Sequence, residues 1–126
     1  MPVNETFGWI WMLAGVVTGL LMGLRFHEES WLGGYTSHPR RLLRLGHISF
    51  MGLGILNLLF AMSAARSGLG PGGLGIASWA MVIGGITMPA CCALVAWRKS
   101  LHFVFAVPVA SLFVGVGLVA WGMVTR

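Results

Sequence analysis

Four long apolar runs organise the chain, at about 7–26, 40–65, 75–97 and 101–123. Each is close to the roughly 20 residues that a helix needs to cross the hydrocarbon core of a bilayer. Polar and turn-forming residues collect between them. HEESWLGGYTSHPR fills 27–40, RSGLGPGGL fills 66–74, and Arg98-Lys99-Ser100 makes the shortest turn. Short connections favour antiparallel neighbours. The pattern predicts an all-α, four-helix transmembrane bundle of up-down-up-down form, one domain over 1–126, with both termini on the same, non-cytoplasmic side.

Within these runs the glycines and polar residues have a spacing. Gly15, Gly19 and Gly23 recur every four residues, so they share a helical face and allow a close approach, with His27 one step further on. In the second run Arg40, His47, Met51, Gly54, Asn57 and Ala61 fall within a face about 120° wide. Asn57 lies deep in the run, where its amide needs a partner inside the bundle. Ser37 or His38 marks the entry to this helix, with Pro39 in the first turn. Pro89 is expected to loosen the third helix near 85–89, and Pro108 lies in the fourth.

Composition strengthens the membrane assignment. Of the 126 residues 57% are hydrophobic and 9% charged, against about a quarter charged in soluble domains. The net charge of +5 is not a nucleic-acid footprint: six of the eight basic residues (Arg25, Arg40, Arg41, Arg44, Arg98, Lys99) flank helix ends on one side. That is the positive-inside asymmetry. It places the 27–40 loop and the 98–100 turn in the cytoplasm and the chain in the inner membrane of a bacterium. Cys91 and Cys92 are adjacent within an apolar run and imply no disulfide.

Candidate chemistry rests on histidine. An ionisable group inside a membrane helix is a functional candidate by default, and His47 is one. All four histidines (His27, His38, His47, His102) fall on the basic side. In a closed bundle the second and fourth helices are diagonal, so His47 and His102 could approach one ligand from opposite faces, as the axial ligands of a b-type haem do. Arg44 and Arg40 would then meet the propionates. The expected function is a small membrane subunit passing electrons within a larger redox complex. The alternative is a structural or assembly subunit with no cofactor. A metal site at His47, His102 and His27, or a copper carrier using Cys91, Cys92, Met51 and Met88, is the weaker expectation.

The motifs of enzymes are missing. There is no Asp, no phosphate-binding glycine loop and no nucleophile elbow, so no catalytic activity of the chain alone is expected. The expected partners are the lipid bilayer and other membrane subunits, or a second copy docked through Gly15, Gly19 and Gly23, with Gly54 as a further packing position. Nucleic acid is not among them.

Overall fold

Pro2 opens the first helix at a position that has no backbone hydrogen bond to lose, and α1 runs over Pro2–Phe26. The remaining helices are α2 (His38–Ser63), α3 (Pro71–Trp97) and α4 (Ala106–Thr125), in a computed structural model that describes residues 1–126. Short 3₁₀ turns lie at Trp31–Gly33 and Ala64–Arg66, and a longer 3₁₀ stretch, Lys99–Phe105, leads into α4. The chain is all-helical, and four of its helices are long and apolar enough to cross a membrane. Its outer surface agrees: Leu13, Leu20 and Phe113 are 62%, 65% and 80% exposed. A soluble monomer rarely displays so much contiguous apolar surface.

The helix starts follow from local chemistry. Ser37 caps α2, its hydroxyl accepting from the Arg40 N–H, and Pro39 sits in the first turn as its fixed φ allows. Three of the five prolines (Pro2, Pro39, Pro71) stand at helix starts. The fourth span begins as a 3₁₀ stretch and turns α-helical only at Ala106.

Packing is sequential. α1 lies on α2, α2 on α3 and α3 on α4, and α1 also touches α3; α4 has no extensive contact with α1 or α2. Ten residues of α3 are buried, against three in each of α1 and α4, so α3 is the helix on which the others lean. The diagonal pairing of the second and fourth helices across a common axis, expected from the loop lengths, is therefore not the arrangement found.

Glycines bring the helices together. A Cβ on Gly54 would stand 2.9 Å from the Gly8 carbonyl oxygen, and one on Gly84 would stand 2.6 Å from Leu112 Cγ. At Gly54 the obstacle is backbone, and at Gly84 the Leu112 side chain would have to shift.

Polar ties fix the register. Asn4 and Asn57 are both fully buried, and Ser78 nearly so. Asn4 Nδ2 donates to Asn57 Oδ1 at 2.7 Å and to the Ser78 carbonyl at 3.1 Å. The Ser78 hydroxyl donates back to Asn4 Oδ1. Asn57 Nδ2 donates to the Leu53 and Met81 carbonyls. Three helices thus share one network in which these amides and the hydroxyl all find partners.

At the basic end, Arg40 is 1% exposed. Its guanidinium lies 4.8, 5.5 and 5.4 Å from the ring centroids of Phe26, Trp31 and Tyr35. Nη2 donates to the Phe26 carbonyl at 2.9 Å and Nη1 to those of Glu28 and Glu29. A cation there satisfies the open carbonyls at the C-terminus of α1 and the negative end of its dipole.

Two outcomes check this account by reversible unfolding in mixed micelles. Asn57→Leu strands the Asn4 amide and should cost about 1 kcal/mol, within the span of membrane interhelical hydrogen bonds; wild-type stability would make the network incidental. Arg40→Lys loses the planar fork and should cost about 1–3 kcal/mol.

Candidate functional site: a lateral pocket at His47

His47 lies nine residues, about 13 Å, beyond the start of α2. Its imidazole does not point toward α4. Its Cε1 edge lies against α1, where Gly19 leaves room: a Cβ there would stand 2.7 Å from His47 Cε1. Thr18, the neighbour of Gly19, meets the ring at Nδ1, 3.2 Å from its hydroxyl. The glycine at 19 and the threonine at 18 together position the ring.

Around this imidazole, α1, α2 and α3 enclose a cavity of about 490 Å³, within the usual ~300–1,000 Å³ range of ligand pockets. The space exists because small residues (Gly46, Ala90, Ala93) stand where larger side chains would fill it. Leu21, Ile86 and Ala93 form its rim and are exposed on the outer surface, so the cavity opens sideways, toward the lipid. Its walls are apolar apart from Trp11, Thr18, His47 and Cys92. No carboxylate reaches it.

Trp11 is there for a physical reason. Pro89 has no N–H to give to the carbonyl four residues back, that of Gly85. Trp11 Nε1 donates to that oxygen at 2.8 Å, so the proline is tolerated and the indole is fixed as a pocket wall. A related contact lies at the start of α4. Pro108, in its first turn, has no N–H to give to the Val104 carbonyl, and Cys91 Sγ donates to that oxygen at 3.4 Å.

The other candidate residues are placed as follows. His102 is exposed in the 3₁₀ stretch, which packs on α3 and α4, and it does not line the pocket. The expected His47–His102 pair around one ligand is not assembled. His27 is exposed just beyond α1. No three His, Cys, Asp or Glu side chains come close enough to hold a metal ion, so the set His47, His102 and His27 is not a metal cluster. Arg40 and Arg44, expected at propionates, are otherwise engaged: Arg40 closes α1, and Arg44 lies 4.1 Å above the Tyr35 ring. Cys91 and Cys92 diverge, toward Val104 and toward Gly46 respectively. His38 Nε2 meets the Val95 carbonyl at 3.2 Å, capping the end of α3.

The glycine face also changes its role. Gly15 and Gly19 lie against Met51 and His47 of α2, and Gly54 lies against Gly8, which completes the stripe. The face is used within the chain and is not free for docking. Gly23 alone has nothing within 4 Å.

Sequence reasoning reached His47 from its depth in an apolar run. It missed Asn4, Thr18, Trp11 and Gly8 as partners. The signal for Trp11 was available: an interior proline obliges some donor to reach the carbonyl four residues earlier.

No protein-family model, curated protein sequence or solved structure matches this chain.

A pair of substitutions separates the two glycines. Gly19→Ala should force the imidazole off Thr18 and cost about 1–3 kcal/mol of stability, the usual cost of overpacking. Gly23→Ala should stay within about 0.5 kcal/mol of wild type. Equal effects would show that the ring does not rest on Gly19.

Proposed function

We propose that the chain is a small integral-membrane subunit that holds one lipid-soluble ligand in the lateral pocket at His47. One observation carries this: an apolar cavity of about 490 Å³, rimmed by lipid-facing side chains, contains a single imidazole. Such a site admits an apolar body from the bilayer and fixes its polar head by one hydrogen bond. With no acid or second base beside His47, the chain binds the ligand and leaves its chemistry to a partner. A quinone-class molecule serving electron transfer in a larger membrane complex fits this best.

The haem reading would use the same imidazole, but His102, expected as its second ligand, does not line the pocket. A purely structural subunit would leave the cavity without a purpose. We further propose an up-down-up-down bundle in a bacterial inner membrane. The 27–40 loop and the 98–100 turn would be cytoplasmic and both termini outside, supported by the clustering of basic residues.

Protein purified in mild detergent from its native membrane should release an isoprenoid quinone into organic solvent in near-stoichiometric amount. Ala90→Trp, which fills the cavity from an exposed position on α3, should abolish that release. The same yield from both proteins would remove the ligand site. A Soret band that shifts with dithionite and vanishes in His47→Ala would replace the quinone by haem. Alkaline phosphatase fused after Arg126 should be active and a fluorescent-protein fusion dark, and the reverse would invert the orientation.

A further inference from the structure

The hydrogen bonds around His47 assign its proton, and the proton selects the ligand. A threonine hydroxyl has one proton to give. Thr18 gives its own back along α1, to the Ala14 carbonyl at 2.8 Å with Gly15 as a second acceptor at 3.1 Å. With that proton on the shorter bond to Ala14, the Thr18 oxygen accepts from the imidazole, and the Thr18–His47 contact at 3.2 Å is then made by an Nδ1–H. A neutral ring with its proton on Nδ1 carries a lone pair on Nε2.

Nε2 is open. Arg40 Nε is the only occluded side-chain nitrogen or oxygen without a partner, and Nε2 of the half-buried His47, which has no partner either, is therefore accessible. The other strong donors of the pocket are already used: the Trp11 indole N–H on Gly85 and the Thr18 hydroxyl on Ala14. Only the Cys92 thiol remains, and a thiol is a weak donor. The pocket thus offers one good acceptor and no good donor.

We infer that the pocket takes its lipid-soluble ligand through a hydroxyl group that donates to His47 Nε2, so that it holds an alcohol or hydroquinone in preference to the carbonyl form of the same molecule. This rests on the ligand site proposed above and adds the direction of its hydrogen bond. A quinone presents only acceptors and would set a carbonyl oxygen against the Nε2 lone pair. The reduced form presents the donor that the ring lacks. Thr18 acts as a positioning residue: it touches the ring and not the ligand, and it decides which nitrogen is free.

The test uses the full chain in lipid nanodiscs at pH 8, titrated anaerobically with decylubiquinol and with decylubiquinone. A second matched pair, farnesol and farnesyl acetate, distinguishes an isoprenoid alcohol from a ring hydroxyl. The hydroxyl form of at least one pair should bind about three- to tenfold more tightly, the worth of one neutral hydrogen bond. Thr18→Val removes the acceptor on Nδ1 and should bring that ratio toward one while binding persists, and Thr18→Ser should restore it. In parallel, ¹⁵N spectra, with the His47 signal identified by its loss in His47→Gln, should report a proton on Nδ1.

Equal affinity within both pairs, tighter binding of the carbonyl forms, or a proton on Nε2 would overturn the inference. Equal affinities that are abolished by Ala90→Trp would leave the pocket itself standing. Failure of all four probes to bind would remove pocket and inference together.

Discussion

In a hydrocarbon solvent a backbone carbonyl without a donor is expensive, and much of the polar structure of this protein meets that constraint. Pro89, inside α3, gives no N–H to the Gly85 carbonyl, which Trp11 takes, and Pro108, in the first turn of α4, gives none to the Val104 carbonyl, to which Cys91 donates. The ends of three helices are closed by basic side chains from other elements: α1 by Arg40, α3 by His38, and the turn after α2 by Arg126 on the Arg66 carbonyl. Each of these bonds crosses from one helix to another. Satisfying the backbone and fixing the tertiary structure are therefore one process here, in a protein with few buried apolar side chains to do the second by packing.

The site follows from the same economy. Close approach of α1 and α2 at Gly8, Gly54, Gly15 and Gly19 brings an imidazole against a backbone. Small residues on the facing side of α2 and α3 leave the adjoining volume empty. The pocket is thus a place where helix packing is locally incomplete, next to a place where it is unusually tight. Polar groups in its wall, apart from His47 Nε2 and the weakly polar Cys92 thiol, are already committed to the fold.

The sequence made the spans, the basic end, the Ser37 cap and the need of Asn57 for a partner legible, because each depends on residues close together in the chain. What it hid depends on neighbours. The apolar run suggested that α1 starts near residue 7, yet it begins at Pro2, because Asn4 is buried against Asn57 and Ser78. Helical spacing gave the face of His47 but not which helix that face meets; two glycines in α1 decided it. Arg40 and Arg44 read equally well as anion ligands from sequence. The aromatic residues that engage them lie in a loop whose path no periodicity describes. The fourth span looked helical from 101, while its first turns are 3₁₀ up to Phe105.

The Arg40 cage bears on how the protein enters the membrane. On its own, α1 with the residues after it would leave the Phe26 and Glu29 carbonyls without this donor, and α2 alone would carry a guanidinium with no carbonyls to receive it. Neither is a finished object. The first two spans, with the connection that wraps the arginine, complete each other, so the hairpin and not the single helix is the smallest unit in which these polar groups are satisfied.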